Sequence, residues 1–365
     1  MKVMQVLPEL NSGGVERGTL EVADFLVKQG HEAVVVSNGG RQVEALEASG
    51  ARHITMPVHK KSLGSLFQVK PFRKLLEQEK PDILHIRSRV PGWIAYLAWR
   101  KMDPATRPRL VSTVHGFYSV NKYSAVMTKG ERVIGVSESI KAYILKNYPE
   151  VPEGKITVIH RGVSPEHCPV GFQPAEEWLA KWRADFPQLV GKQVLLLPGR
   201  VTRWKGQEDF IRLVAALKEK GVHGLIVGET HAKKQDFELE LRTLCKELGV
   251  EDVVHFLGHR KDVREVMAVS DLVLSLSHDP EAFGRVSLEA MALGKPVVAY
   301  DHGGVGEQLK EIFPQGLVKP GDEAAVAEKA ATILDGGGCP GLIGRFTLRN
   351  MLESTLSVYN GLARH

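Results

Sequence analysis

The hydrophobic positions form short runs of aliphatic and β-branched residues, and amphipathic stretches of helical spacing separate these runs. In the first half of the chain the runs cover residues 3–7, 33–37, 83–86, 110–115 and 133–136, and helical spacing covers residues 16–29 and 68–79. Alternation of strand and helix is typical of a parallel sheet with helices on both faces. We therefore predict a doubly wound α/β domain in this half.

The same alternation stops near a proline-containing stretch at residues 165–174 and then starts again. The later runs cover residues 193–197, 224–227, 253–257, 272–276 and 296–300, and residues 347–362 have helical spacing. The chain therefore predicts two doubly wound domains that meet near residue 168. Functional loops of such sheets follow the carboxyl ends of the strands, so a ligand is expected between the domains.

Composition limits the class of protein further. The 365 residues are 43% hydrophobic and 25% charged, which is the balance of a soluble globular protein. No run of about 18 uninterrupted apolar residues occurs, so no membrane span is expected. The three cysteines lie far apart and form no disulfide framework, which predicts a reducing, cytoplasmic compartment.

The charge is unevenly distributed along the chain. The net charge is +5, but residues 1–165 hold 24 Lys and Arg against 15 Asp and Glu, and the remainder holds 24 against 28. A net +9 in the first half suggests an anionic partner there: nucleic acid, acidic lipid or phosphorylated sugar. Nucleic acid is not expected as a partner, because no helix-turn-helix, finger or RNP-like motif accompanies the charge.

Two loops of the first half carry candidate chemistry. Gly13-Gly14 follows the first strand and precedes a helix, whose free N–H groups suit a phosphate. An ordinary tight turn explains the same residues, and the G-x-G-x-x-G of dinucleotide-binding proteins is absent. His115, followed by Gly116, ends a strand and can point into a cleft; a turn histidine bonded to backbone is the alternative.

The second half offers two cations and two carboxylates. Arg200 and Lys205 flank a strand-to-helix turn and match a diphosphate, although a solvated charge pair would look the same. Glu281 lies in a loop after a strand, and Phe283-Gly284 opens a helix that suits phosphate. Glu289 lies inside that helix, where its carboxylate can accept two ribose hydroxyls. Together these residues indicate a cleft that binds a nucleoside diphosphate.

With these motifs the chain resembles retaining glycosyltransferases of the GT-B fold, family 4, of the lipopolysaccharide type. The resemblance runs from Gly13 to Tyr359, and its most specific element is E-x7-E, here Glu281 to Glu289. It implies two Rossmann-like domains facing a cleft. Residues 1–167 would form the acceptor-side domain, residues 168–345 the nucleotide-sugar domain, and residues 346–365 a helix that crosses back to the first domain.

The resemblance also implies roles for the candidate residues. The expected catalytic set is His115, Glu281, Arg200 and Lys205, with His115 near the donor sugar and acceptor and the two cations at the diphosphate. The expected substrate-binding set is Gly13, Gly14, Glu16, Phe283, Gly284, Glu289, Gly258, His259 and Arg260, the last three beside the base. Two positions depart from the family pattern: Arg161-Gly162 replaces Asn-Gly, and Gly228-Glu229-Thr230 replaces Gly-x-Gly.

The implied reaction transfers a sugar from a nucleoside-diphosphate sugar to a hydroxyl of a glycan or lipid-linked acceptor. UDP is the expected carrier by family frequency, no cofactor is expected, and the lack of a D-x-D element predicts metal independence. Two alternatives stay open. One is a sugar-nucleotide epimerase of the same architecture, which would yield an isomeric nucleotide sugar; the other is a non-catalytic scaffold.

Basic clusters and aromatic residues in the first half bear on the acceptor. The clusters comprise Lys60, Lys61, Lys70, Arg73, Lys74, Arg100 and Lys101; Trp93, Tyr96 and Trp99 recur at three-residue spacing beside the last two. Aromatic residues beside cations are typical of membrane surfaces, although core burial of at least one of the three is an alternative. We therefore expect peripheral contact with the anionic inner face of the cytoplasmic membrane and an acceptor such as lipopolysaccharide core.

Overall fold

A computed structural model describes residues 1–11, 13–230 and 235–363. The chain divides into two compact units, and the first unit is built from two separate segments. Met1–His160 and Arg349–His365 form the first unit, and Arg161–Leu348 forms the second. The first division, after His160, falls seven residues before the predicted limit at 167, and the second, after Leu348, falls three residues beyond the predicted limit at 345.

The first unit is a seven-stranded parallel sheet, counted over the described residues, with the strand order β3-β2-β1-β4-β5-β6-β7. The three strands that pair at its centre are almost completely buried, as expected for a sheet covered by helices on both faces. Its elements are β1 (Lys2–Val6), α1 (Gly14–Lys28), β2 (Glu32–Ser37), α2 (Val43–Ala48), β3 (Arg52–Thr55), α3 (Val69–Glu79), β4 (Ile83–Ile86), α4 (Arg89–Arg100), β5 (Arg109–Val114), β6 (Arg132–Gly135), α5 (Glu138–Asn147) and β7 (Ile156–Val158), with 3-10 turns at Leu63–Gln68, Ser124–Thr128 and Glu153–Lys155.

The second unit is a six-stranded parallel sheet within the described residues, ordered β10-β9-β8-β11-β12-β13. Its order reverses between β8 and β11, which is where open α/β sheets hold their ligands. Its elements are α6 (Glu176–Asp185), β8 (Val194–Pro198), α7 (Gln207–Ala216), β9 (His223–Val227), α8 (Gln235–Glu247), β10 (Val254–Gly258), α9 (Val263–Ala268), β11 (Leu272–Ser275), α10 (Arg285–Ala292), β12 (Val297–Tyr300), α11 (Gly303–Ile312), β13 (Leu317–Val318) and α12 (Glu323–Leu334), with 3-10 turns at Pro187–Leu189, Arg203–Lys205, Lys218–Lys220 and Pro314–Gly316.

The last helix, α13 (Leu348–Asn360), belongs to the first unit for almost all of its length. It buries Met351, Leu352, Thr355 and Tyr359, whose spacing places them on one side of a helix. A hydrogen bond of 2.6 Å joins the Tyr359 hydroxyl to Nδ1 of His85 in β4, and Nε2 of His85 lies 2.7 Å from the Thr113 hydroxyl in β5. This buried polar chain anchors α13 to the sheet.

The observed architecture confirms the predicted class of two doubly wound parallel sheets. The strands that the hydrophobic pattern did not indicate are β3, β7 and β13, which lie at sheet edges and are four residues or shorter. Edge strands need little hydrophobic surface, so their pattern is weak. All three cysteines are free thiols, as expected. In the described residues no helix combines the length and apolar character needed to cross a bilayer.

Candidate functional site

The loop after β1 brings a glycine pair and a glutamate together at the start of α1. Gly13 has a φ of 152°, and Gly14 is the first helical residue. A Cβ at Gly13 would lie 2.4 Å from Oε2 of Glu16, whereas one at Gly14 would meet no atom within 4 Å. The Glu16 carboxylate therefore lies against Gly13, and burial raises its pKa above the ordinary value. Backbone at Gly14 is open to a ligand.

Arg87 is a candidate residue near this loop that the sequence reasoning missed. It follows β4 directly, is almost fully buried, and donates from Nη1 to Oε1 of Gln5 at 2.6 Å. Burial lowers the pKa of its guanidinium, while the charges of Tyr359, Glu21 and Glu16 act in the opposite direction. The sequence signal was an arginine directly after a buried strand, since a packed core tolerates a charged side chain only with partners.

His115 lies just beyond β5 at the carboxyl edge of the first sheet. Its side chain is half-buried, and its backbone N–H donates to the Tyr118 hydroxyl at 3.2 Å. Tyr118 is itself held in place, because its carbonyl accepts from the Tyr143 hydroxyl at 2.5 Å and the Arg89 guanidinium lies 4.6 Å from its ring. The histidine loop is therefore braced by aromatic side chains.

In the second unit, three glycines bring neighbouring loops into backbone contact. The N–H of Gly199 donates to the carbonyl of Val227 at 2.8 Å, and the N–H of Gly228 donates to that of Gly258 at 2.9 Å. A Cβ at Gly228 would lie 1.8 Å from the carbonyl oxygen of Gly199, so only glycine fits there. The loops after β8, β9 and β10 consequently lie side by side.

The turn that carries Lys205 is pressed against the loop after β11. Gly206 has a φ of 77°, and a Cβ there would lie 2.0 Å from the carbonyl oxygen of Leu276. The N–H of His278 donates to the carbonyl of Trp204 at 2.7 Å. These two contacts fix the position of the lysine relative to the loop that holds Glu281.

Lys205 and Glu281 form the ion pair that this packing produces. Nζ of Lys205 lies 2.8 Å from Oε1 of Glu281, and the two side chains are 16% and 19% exposed. The Ser277 hydroxyl donates to the same carboxylate oxygen at 2.7 Å. The structure thus joins two predicted catalytic residues that are 76 positions apart in the sequence.

Arg200 lies in the same strand-to-helix turn and is exposed. Its carbonyl accepts a hydrogen bond from Nε2 of Gln207 at 3.1 Å, which ties the turn to the start of α7. The exposed guanidinium and the half-buried ammonium of Lys205 are therefore presented by one turn.

Phe283 and Gly284 directly precede α10 and pack against α11. Gly284 is the N-cap, has a φ of 83°, and a Cβ there would lie 2.1 Å from Cγ2 of Val305. The side-chain amide of Gln308 donates to the carbonyl of Phe283 at 2.5 Å. The N–H of Gly304 donates to the carbonyl of Glu281 at 2.8 Å. Close packing between the two helices therefore requires glycine at this corner.

Glu289 lies one turn inside α10 and is mostly buried. Its Oε1 is 3.5 Å from Nε of Arg285, four residues earlier on the same helix. The side chains are 18% and 14% exposed. A carboxylate this sheltered needs a partner, and the arginine supplies one.

Gly258, His259 and Arg260 follow β10 and differ in their surroundings. Gly258 and His259 are exposed, and Gly258 has a φ of 62°. The Arg260 guanidinium forms two hydrogen bonds to Asp262, at 2.9 and 2.6 Å, and Nε1 of Trp178 donates to the same carboxylate at 2.7 Å. Burial acts to raise the pKa of Asp262, but these hydrogen bonds outweigh it and hold that pKa below the ordinary value. The Arg260 guanidinium is therefore already paired with the Asp262 carboxylate of its own loop.

A buried carboxylate behind the Lys205 turn was also missed. Asp209, in the first turn of α7, accepts at Oδ2 from the Tyr300 hydroxyl and lies 2.9 Å from Nε2 of His278. Burial, followed by the hydrogen bond to Asp209, raises the pKa of Tyr300. Nε2 of His302 lies 2.7 Å from the carbonyl oxygen of Ser277. The sequence signal was a histidine within three residues of the end of each of β11 and β12, His278 and His302.

No group of three or more His, Cys, Asp and Glu side chains in residues 1–11, 13–230 and 235–363 is arranged to hold a metal ion. Metal independence of the reaction stays a prediction. In the second unit the structure places Lys205 on the turn after β8, Glu281 on the loop after β11, Phe283 and Gly284 just before α10, and Glu289 within that helix. In the first unit Gly13, Gly14, Glu16 and His115 lie at the carboxyl edge of the sheet.

Comparisons with known proteins agree with this architecture. Residues 12–167 match the family described as Glycosyltransferase Family 4, and residues 180–341 match Glycosyl transferases group 1. A glycosyltransferase from Rickettsia africae ESF-5 is 30% identical, with 99% of this chain and 98% of that chain covered and a TM-score of 0.87.

Two further proteins extend the comparison. The N-acetyl-alpha-D-glucosaminyl L-malate synthase of Bacillus anthracis is 27% identical over 346 residues, which cover 90% of this chain and 85% of that protein. Anabaena HepE in complex with UDP and glucose is 23% identical and shares the fold, with 99% of each chain covered and a TM-score of 0.79. The predicted GT-B fold is confirmed, and the chain belongs to the family 4, group 1 glycosyltransferases.

Proposed function

We propose that this glycosyltransferase moves a sugar from a nucleoside-diphosphate sugar, with UDP as the carrier, to a hydroxyl of a glycan or lipid-linked acceptor. The transfer would retain the anomeric configuration and need no metal. The observation that carries the proposal is the Lys205–Glu281 ion pair of 2.8 Å beside the N-terminus of α10. The Anabaena protein solved with UDP and glucose supports the donor class by analogy of fold.

The proposed role of the cations follows from the charge that develops during the reaction. As the bond between the sugar C1 and the phosphate oxygen breaks, its electron pair stays on the phosphate and positive charge develops on the sugar ring. Lys205 and Arg200 on one turn, with the helix N-terminus at Gly284, would stabilise the phosphate charge in place. The packing of Gly206 against Leu276 supports this role, because it holds the lysine in position before the donor binds.

The carboxylates would bind hydroxyl groups rather than react. Glu281 is held by Lys205 and Ser277 through one oxygen, Oε1, which leaves Oε2 to accept a hydroxyl of the donor sugar. Glu289, oriented by Arg285, would accept the ribose hydroxyls. Glycoside hydrolysis also uses two carboxylates, but here each is paired with a cation, Glu281 with Lys205 and Glu289 with Arg285.

Retention requires attack on the face that the nucleotide leaves. A phosphate oxygen of the departing nucleotide would accept the proton of the acceptor hydroxyl, while the acceptor oxygen forms the new bond to C1. The products are the glycosylated acceptor and the nucleoside diphosphate carrying that proton. No protein carboxylate needs to form a covalent intermediate in this scheme.

The acceptor is proposed to be anionic or membrane-bound, with lipopolysaccharide core as one example. Support comes from the net charge of +9 in residues 1–165, which hold 24 Lys and Arg residues and 15 Asp and Glu residues. The name of the Bacillus anthracis relative contains L-malate, which is an anion. On this proposal the protein works in the cytoplasm at the inner face of the cytoplasmic membrane.

Thermal unfolding with UDP, GDP, ADP and dTDP and their hexose conjugates tests the donor site, since a ligand of the folded state raises Tm by mass action. One nucleotide is expected to raise Tm, and Lys205→Ala and Glu289→Ala are expected to abolish that rise. Lys220→Gln, which removes an exposed ion pair with Asp335, serves as the control. Absence of a shift with every nucleotide contradicts the proposal, and release of an isomeric nucleotide sugar would indicate an epimerase instead.

A further inference from the structure

A cavity of about 470 Å³ opens in the first unit, and none of the expected catalytic or substrate-binding residues lines it. Its walls comprise Lys61, Leu66, Val90, Trp93, Lys122 and Tyr123. Three separate segments contribute: the segment after β3, the first turns of α4 after β4, and the loop after β5. All three follow the carboxyl ends of parallel strands, which is the edge where α/β sheets bind ligands.

The cavity carries positive charge that the protein leaves unneutralised. Nζ of Lys61 lies 4.8 Å from the centre of the Tyr123 ring. In the described part of the chain neither Lys61 nor Lys122 is within ion-pair distance of a carboxylate, and no acidic residue lines the walls. Ser62 and Ser65 add hydroxyl groups to the lining. Two ammonium groups with neighbouring hydroxyls suit a phosphate.

The apolar part of the lining is preformed. Nε1 of Trp93 donates to the carbonyl of Tyr123 at 2.8 Å, which fixes the indole against the loop after β5. Arg89 lies 5.5 Å from the Tyr123 ring and donates to the Ser124 hydroxyl at 3.3 Å, which holds the other side of that loop. Val90 and Leu66 complete the wall. An apolar part of a ligand could therefore bind without rearrangement of the site.

The apolar surface continues beyond the rim of the cavity. Leu66 is 49% exposed and Phe67 is 82% exposed. Leu66 also lines a second depression of about 520 Å³, which Phe67 shares with the basic residues Lys70, Arg73 and Lys101. Adjacent exposed apolar side chains surrounded by cations are unusual on a monomer and indicate an amphipathic partner. By contrast, Trp99, the last of the three aromatic residues at three-residue spacing, is buried. Its Nε1 donates to the carbonyl of Pro108, so it belongs to the core.

We propose that this cavity is the acceptor subsite for a lipid-linked phosphate. The phosphate would lie between Lys61 and Lys122, and the aliphatic chain would cover Trp93, Leu66 and Phe67. This assignment rests on the proposed function, since it names the class of acceptor for the same transfer. The exposed apolar side chains favour a lipid phosphate over a water-soluble phosphate, because a free phosphate would leave them in water.

Isothermal titration calorimetry with monomeric decyl phosphate tests the assignment. Decanol tests the chain alone, and glucose 6-phosphate tests the phosphate alone. Decyl phosphate is expected to bind at least tenfold more tightly than either. Equal binding by glucose 6-phosphate would overturn the lipid assignment, and equal binding by decanol would overturn the phosphate assignment.

Variants connect the binding to the named residues. Lys61→Gln and Lys122→Gln are each expected to raise the Kd for decyl phosphate about tenfold, and Lys146→Gln, an exposed lysine on α5, provides the charge-matched control. Leu66→Ser should weaken decyl phosphate binding, whereas Leu342→Ser, at an 87% exposed leucine, should not. Unchanged Kd values in all three cavity variants would overturn the proposal.

The nucleotide-induced rise in Tm, measured on the same proteins, separates the two proposals. If the nucleotide raises Tm in Lys61→Gln and Lys122→Gln as in the unmodified protein, the variants are folded and their loss of decyl phosphate binding is local. Failure of decyl phosphate with an intact nucleotide response rejects only the acceptor subsite. Failure of every nucleotide with intact decyl phosphate binding rejects the donor side of the proposed function.

Discussion

Nζ of Lys205 and Oε1 of Glu281 lie 2.8 Å apart although each comes from a different strand-end loop of the second sheet. The Lys205 ammonium therefore neutralises a mostly buried carboxylate and is also proposed to bind the donor diphosphate. The Ser277 hydroxyl helps to stabilise the Glu281 carboxylate, because it donates to the same oxygen. The pair can thus open toward an incoming phosphate without leaving Glu281 unpartnered.

Lys205→Ala is expected to lower kcat by about 100-fold to 1,000-fold, the range for removing one preorganised group that stabilises a developing anion. The measurement is steady-state release of nucleoside diphosphate with a saturating donor. Lys220→Gln should retain the unmodified rate, because its ion pair with Asp335 is exposed and includes none of the candidate site residues. A variant that keeps its full kcat while only KM rises would place the lysine in donor binding alone.

Gly206→Ala is expected to destabilise the protein more than Gly221→Ala, although both glycines have positive φ, 77° and 70°. A Cβ at Gly221 meets nothing within 4 Å, so the expected loss is the left-handed backbone term of about 1–2 kcal/mol. At Gly206 the Cβ would lie 2.0 Å from the carbonyl oxygen of Leu276, which adds about 1–3 kcal/mol of overpacking. Urea unfolding of both variants measures the difference.

The Gly206 variant should also lose affinity for the nucleotide, since the displaced turn carries Lys205. Gly221→Ala should bind nucleotide normally. Equal stability of the two variants would show that the Leu276 contact relaxes at no cost.

Tyr300→Phe is expected to lower the free energy of unfolding by about 1.5–3 kcal/mol, the usual range for a hydrogen bond to a charged group. The removed hydroxyl donates to Oδ2 of Asp209, which is only 7% exposed. Tyr96→Phe is the matched control, because in the described residues the Tyr96 hydroxyl has no protein hydrogen bond. A loss equal to that of the control would mean that His278 alone satisfies Asp209.

Stability of the second unit is expected to fall as pH drops below about 6.5. His223 and His255 stack with a ring separation of 5.4 Å, and burial lowers the pKa of both. Below the ordinary histidine pKa the unfolded chain takes up protons that the folded pair does not, so the free energy of unfolding rises with pH over this window, by about 1.4 kcal/mol per pH unit for each proton.

His255→Gln should flatten that dependence between pH 7 and pH 5.5 in chemical unfolding. His259→Gln, at an exposed histidine in the next loop, should leave it unchanged. An identical pH slope in the two variants would assign the effect to other groups.

The central strands of both sheets could be predicted from the sequence because both of their faces are buried. The strand at residues 83–86 was predicted with its observed limits, Ile83–Ile86. The two-residue strand Leu317–Val318 could not be predicted, since so short an edge has no detectable period. The hydrophobic pattern of the sequence thus predicts a strand only where burial of the strand requires apolar residues.

The sequence indicated the candidate residues of the site, but it did not predict which of them contact one another. Lys205 and Glu281 were each expected at a strand end, yet their ion pair depends on the backbone approach of Gly206 to Leu276. Arg260 was expected beside the base, and its pairing with Asp262 two residues later was not foreseen. Such pairings depend on side-chain directions that spacing does not encode.

Because the hydrogen bond between His85 and Tyr359 joins α13 to the first sheet, the first unit depends on the end of the chain to complete its folding. Residues 161–348 leave the ribosome before α13 does, so the second unit can finish folding while the first still lacks its last helix. Until Tyr359 emerges, the buried surface around His85 and Thr113 stays uncovered. The first unit is therefore begun first and completed last, and a nascent chain stalled before α13 would expose that surface to chaperones.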